Sequence, residues 1–158
     1  MPAKPQKAPA FSLSVQFAAT EKKSGKKLPT RTQFRRWVKA ALQQEAHITL
    51  RVVEAEEGRA LNKQFRKKNY PTNVLTFVYD DIGPLSGDIV LCAPIVEIEA
   101  KKQKKNILAH YAHLTVHGVL HMQGYDHEKN RDAKVMEAME TGIMQKLGYD
   151  HPYCEGIQ

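Results

Sequence analysis

The sequence predicts an α+β fold: one domain with a four-stranded mixed sheet packed with about five helices, and a metal site on a C-terminal helix and the turn after it. Three observations point there. The chain has 158 residues, which fits a single domain of the usual ~100–200 residues. Four short segments before residue 94 are β-branched or alternate apolar and polar positions, with helical spacing between them. Beyond them only helical periodicity recurs.

In chain order, residues 1–10 (MPAKPQKAPA) read as a disordered extension ahead of a domain at 11–158. Phe11–Phe17 alternates apolar and polar side chains and predicts a half-buried strand. Glu21–Thr30 is a basic loop containing Gly25 and Pro29. Phe34, Trp37, Val38, Ala41 and Leu42 then recur at helical spacing, predicting a helix from Thr32 to Gln44. Ile48–Glu54 is β-branched and predicts a second strand, and Glu54–Phe65 suits a helix with Leu61 and Phe65 one turn apart. Pro71 ends any helix before it. Val74–Tyr79 predicts a third strand, the loop Asp80–Ser86 turns the chain, and Gly87–Ala93 completes an antiparallel hairpin. Ala93–Gln103 predicts a short helix ending in Lys101, Lys102, Lys104 and Lys105. Asn106 caps a long apolar helix that runs to about Gln123, where Gly124 stops it. A last helix spans Asp132–Leu147, with Val135, Met139, Ile143 and Leu147 as its core stripe.

Composition excludes several classes. Apolar residues make up 42% and charged residues 26%, an ordinary globular balance and not that of a disordered chain. No apolar run approaches the ~18–20 residues that span a bilayer, and the N-terminus is too polar for a signal peptide. The chain therefore reads as cytoplasmic. Cys92 and Cys154 are too few for a disulfide scaffold or a cysteine zinc cluster. The net charge is +7, and it is uneven. Residues 1–105 hold 20 basic and 10 acidic side chains, whereas residues 106–158 hold 4 and 7. A basic body beside a faintly acidic, histidine-rich tail points to a polyanion partner next to a separate chemical centre.

That centre lies between His110 and His127, which hold five of the seven histidines. At 100° per residue, His110, His113, His117 and His121 fall within about 80° of one helix face. They cannot all bind one ion, because His113 and His121 stand about 12 Å apart along the axis and zinc–nitrogen bonds are near 2.1 Å. One i,i+4 pair is the helical limit, so a third ligand must come from beyond the helix. Gly124 lets the chain turn directly after His121, and His127 follows three residues later. His117, His121 and His127 thus form a three-nitrogen site with an open fourth position, the pattern of catalytic rather than structural zinc. Metzincin peptidases use the same spacing. They carry a glutamate as general base directly after the first ligand, and here that position is Gly118. The metal site is kept, and the missing base weakens the case for peptide chemistry. For His110 and His113, packing on the helix face or orienting a ligand is expected rather than ligation.

With these residues in hand, the chain resembles the YbeY family of bacterial metal-dependent endoribonucleases from about Phe11 to Tyr153. The signature is His113-Leu-x-x-His117-Gly-x-Leu-His121-x-x-Gly124-Tyr-Asp-His127. Leu61-Asn62-x-x-Phe65-Arg66, Pro71-Thr72-Asn73-Val74-Leu75 and Gly87-Asp88-Ile89 match further blocks. Two positions depart from the family pattern: Lys67 where glycine is common, and the mixed run Glu128–Arg131 where acidic residues are usual. The resemblance implies a cytoplasmic, single-strand-specific endoribonuclease acting in rRNA maturation at the 16S 3′ end and in ribosome quality control. It implies one zinc on His117, His121 and His127, with Arg66 and His117 important to activity. Small ribosomal subunit proteins or an assembly GTPase are the implied partners.

The chemistry agrees. Zinc on three imidazoles lowers the pKa of a bound water toward about 7 and polarises a phosphoryl oxygen. The Arg66 guanidinium would stabilise the charge that builds on the phosphoryl group. Lys63, Lys67 and Lys68, with Lys101, Lys102, Lys104 and Lys105, would track RNA phosphates. Asp126 would orient a ligand imidazole or serve as a base, and His113 is a second orienting candidate. The alternative is a non-catalytic ribosome assembly factor that binds RNA and uses zinc only to hold its last helices together. A metallohydrolase of another substrate, such as a peptide, is weakened by Gly118.

Overall fold

The computed structural model describes residues 9–80, 83–125 and 130–150; the predicted N-terminal extension lies almost wholly outside them. Strand β1 (Phe11–Phe17) is as predicted, but Glu21–Thr30 contains one helical turn, α1 (Glu21–Ser24). Gly25 closes that turn at φ 71, its N–H bonded 2.8 Å to the Glu21 carbonyl, while the Glu21 carboxylate accepts the Leu28 N–H at 2.9 Å. These bonds link residues whose sequence reads simply as a loop. Helix α2 (Arg31–Ala41) begins in a capping box, with the Thr30 side chain accepting from Gln33 N–H and the Gln33 side chain from Thr30 N–H. It stops short of the predicted Gln44 because Leu42 is already extended, with ψ 135.

Strand β2 (Ala46–Val53), helix α3 (Ala55–Arg66) and strands β3 (Val74–Asp80) and β4 (Leu85–Cys92) follow, then helices α4 (Ala93–Lys102), α5 (Ile107–Met122) and α6 (Asn130–Lys146). The sheet order is β1-β2-β4-β3. β1, β2 and β4 run parallel, and β3 pairs antiparallel with β4 through the predicted hairpin.

Side chains alternate across the sheet, so it has two covered faces. On one, Ile48, Leu50, Val52, Ile89 and Leu91 meet α2, α5 and α6 in the main core. Phe34 packs edge-on against Trp37 and Tyr111, at centroid distances of 5.4 and 6.3 Å. On the other, Val53, Leu75, Val90 and Cys92 form a smaller core with Leu61, Phe77 and Ile95 from α3, β3 and α4. α5 is buried nearly all round, as befits the central helix of a core. Each of its fully buried large side chains contributes roughly 1.5–3 kcal/mol.

α6 corrects one expectation. Met136, Met144 and Leu147 are buried with Glu140 between them, whereas Val135 is 49% exposed. The inward stripe is thus rotated from the predicted Val135–Met139–Ile143–Leu147, because Glu140 is drawn in by partners on α5. No helix among the described residues is long and apolar enough to cross a membrane.

Candidate metal centre

The Asn106 side chain accepts the N–H groups of Leu108 and Ala109, starting α5 where the sequence places it. Four histidines then climb one face. Successive rings, His110 to His113, His113 to His117 and His117 to His121, are each 6.4 Å apart between centroids. The row grades outward: His110 and His113 are buried, His117 is partly buried and His121 is exposed.

Glu140 of α6 reaches across to this row from a fully buried position. One carboxylate oxygen accepts from His113 Nε2 at 2.6 Å and the other from His117 Nδ1 at 2.5 Å. Burial opposes ionisation of this carboxyl, but the two imidazole hydrogen bonds outweigh it and bring its pKa down to about 2. Two residues past the end of α5, Gly124 adopts φ 99, and the turn delivers the Tyr125 carbonyl 3.2 Å from His121 Nδ1. A carboxylate and a carbonyl only accept, so both Nδ1 atoms carry the proton and both Nε2 atoms carry the ring lone pair. The His117 and His121 rings are nearly parallel, at 6°.

This is the tautomer and ring orientation that zinc-binding histidines need, and the donor set fits that metal. Among the described residues no group of three His, Cys, Asp or Glu is placed to hold an ion. The third histidine of the predicted trio, His127, lies outside the described residues, as does Asp126.

Gly118, between the two histidines' turns, faces the sheet. A Cβ there would stand 3.3 Å from Thr76 Cγ2 and 3.4 Å from Ile89 Cγ2. The position that bears the general base in zinc peptidases is therefore crowded by side chains of β3 and β4, which a glutamate would have to displace. His110 is held separately. Its Nε2 lies 3.0 Å from Glu99, which also accepts from the Asn73 side chain at 3.0 Å. Burial holds the His110 pKa below its usual value although Glu99 opposes this. A cavity of about 390 Å³ opens beside His110 and His113, between the start of α5 and the end of α6.

Arg66 ends α3, which packs on the opposite face of the sheet from α5, with edge strand β3 between them. It is exposed, and among the described residues it makes no hydrogen bond or ion pair with the histidine row. Lys63, Lys67 and Lys68 are exposed beside it, as are Lys101, Lys102 and Lys104 at the other end of α4. Lys105 differs. It is half-buried, and desolvation lowers its pKa against the pull of Glu99 and Glu140. Glu140 is the residue that sequence reasoning missed; an acid set four residues from Met136 and four from Met144 is the signal that marks it.

The chain is similar to known proteins. The family model described as endoribonuclease YbeY matches residues 16–152. The endoribonuclease YbeY of Nitrosospira multiformis is 53% identical over 158 aligned positions, covering 91% of this chain and 82% of its own. That of Nitrosomonas europaea is 55% identical over 141, covering 89% and 84%. The solution structure of TM1509 from Thermotoga maritima superposes with a TM-score of 0.58 at 26% identity, over 85% of this chain and 88% of that one. With a family model spanning most of the chain and relatives more than half identical, this chain belongs to the endoribonuclease YbeY family.

Proposed function

We propose that the chain is a zinc-dependent endoribonuclease for single-stranded RNA, acting in the cytoplasm on ribosomal RNA at the 16S 3′ end and in ribosome quality control. The observation that carries this is the His117–His121 pair, each ring pinned through Nδ1 to an acceptor so that Nε2 bears the lone pair. Zinc held by His117, His121 and His127 would supply a Lewis-acid charge for a phosphoryl oxygen and a lowered pKa for water. Glu140 keeps His117 in one tautomer and orientation and offsets charge that the ring takes up. Arg66 would approach the phosphate with its guanidinium fork, stabilising the nonbridging oxygens as they gain charge. The exposed lysines of α3 and α4 would hold the strand. Small ribosomal subunit proteins or an assembly GTPase would present the RNA. The steric closure at Gly118 speaks against peptide hydrolysis.

A second reading draws on Glu140, which ties α6 to α5 through two histidines. On it, zinc only braces the last helices of an RNA-binding assembly factor. His121 separates the two readings better than His117, because it is exposed and its described hydrogen bond goes to the Tyr125 carbonyl, whereas that of His117 goes to Glu140 of α6. Wild type, His121→Ala and Arg66→Ala, each zinc-loaded and checked for folding, are compared on a small-subunit rRNA 3′ fragment. The nuclease reading expects cleavage by wild type and its loss in both folded variants. RNA binding without cleavage by wild type would transfer the case to the assembly factor.

A further inference from the structure

The corner between α3 and β3 carries an aromatic surface that the histidine row does not use. Phe65, in the last turn of α3, is 56% exposed, and Tyr79 on β3 is 64% exposed. The Phe65 ring stands edge-on to Phe77, 5.0 Å away. The Tyr79 hydroxyl donates to the Asp88 carboxylate, and Asp88 is the register partner of Phe77 on β4. The three rings thus share one patch at the edge of the sheet. Leaving rings this large in water is unfavourable unless something covers them.

Charge identifies the cover. Lys63, Arg66, Lys67 and Lys68 are all exposed around Phe65, and no acidic residue occurs between Lys63 and Tyr70. Lys67 caps α3 in the left-handed conformation, φ 61, where glycine is unstrained and any other residue is not. The chain thus sets a cation in a place that favours no side chain. A peptide of acidic residues alone would satisfy the cations and leave the rings unused. Unpaired nucleotides use both, because their phosphates meet the cations and their exposed base faces stack on the rings.

We propose that this corner is a stacking subsite for unpaired bases of single-stranded RNA, with Phe65 and Tyr79 as its rings and Lys67 among its phosphate contacts. The proposal rests on the nuclease reading and gives that enzyme a second point of hold across the sheet edge from the histidines.

The test is fluorescence anisotropy in EDTA with a short labelled oligouridylate and an abasic strand of equal length. Wild type is compared with Phe65→Leu, Tyr79→Leu and Lys67→Gly, all with unchanged circular dichroism. Wild type should prefer the base-bearing strand by on the order of tenfold or more. Phe65→Leu and Tyr79→Leu should lose that preference, in whole or part, yet keep the salt dependence. Lys67→Gly should keep the preference and flatten the slope of log affinity against log salt by about 0.7. Equal wild-type affinity for both strands, or an undiminished preference in both ring variants, would overturn the subsite. So would tighter binding of an oligoglutamate peptide, which would assign the corner to an acidic protein partner. Restoring zinc separates this failure from a wider one: a wild type that still cleaves RNA keeps the nuclease reading, and one that neither binds nor cleaves loses both.

Discussion

Glu140 holds two imidazoles with one carboxylate in a place water does not reach. A buried carboxylate is costly by several kcal/mol unless it is paired and hydrogen-bonded, and here both oxygens are. Glu140→Ala removes the acceptor shared by His113 and His117, and should cost about 3–5 kcal/mol in urea denaturation. Glu140→Gln keeps the shape but turns an NH2 group toward one ring nitrogen. It should weaken zinc binding roughly 10–100-fold by calorimetric titration, with a smaller loss of stability. His110 makes a different prediction. Burial keeps its imidazole neutral below the usual 6.5, so as pH falls the unfolded chain takes up a proton before the folded one does. The stability held by neutral His110 is full above that value and is lost progressively below it. His110→Gln does not titrate, so its unfolding free energy should vary less between about pH 7.5 and 5.5.

α5 was readable because it combines a cap at Asn106, a stop at Gly124 and histidines at helical spacing, all local signals. α6 was readable as a helix but not in its facing. Two apolar stripes run along it, and the choice between them is made by hydrogen bonds to histidines 27 and 23 residues earlier. The turn α1 escaped for a similar reason, since the bonds that accompany it, from Gly25 N–H and Leu28 N–H to Glu21, leave no mark in residue spacing. Gly118 was readable as a missing base; that its position is occupied by the sheet was not. Replacing it tests the close packing of α5 on β3 and β4. Gly118→Ala gains ~1 kcal/mol of helix propensity and loses a similar ~1 kcal/mol to crowding, so its Tm should stay near wild type. Gly118→Glu would press an unpaired carboxylate against Thr76 and Ile89 and should cost about 3–5 kcal/mol. Near-wild-type stability in Gly118→Glu would show that the helix can shift, and would reopen the peptidase reading.

Taken whole, the molecule puts its histidine row and its basic aromatic corner on opposite faces of one sheet, with only the edge strand β3 between them. If zinc binds the folded chain alone, a concentration one hundred times its Kd should add about 2.7 kcal/mol. That is a rise of roughly 5–10 °C in Tm for a chain of this size. EDTA should reverse it, and His121→Ala should abolish it without lowering the metal-free Tm. The two parts of the proposed site are also far apart in chain order. Arg66 and its lysines precede the histidine helix, and Glu140 comes later still. Synthesis delivers a chain N-terminus first, so a nascent or truncated product ending before residue 140 would carry the cationic corner and the histidines without the carboxylate that orders them. Such a fragment would lack the acceptor that fixes the His113 and His117 rings, and those rings gain it only once α6 has been made.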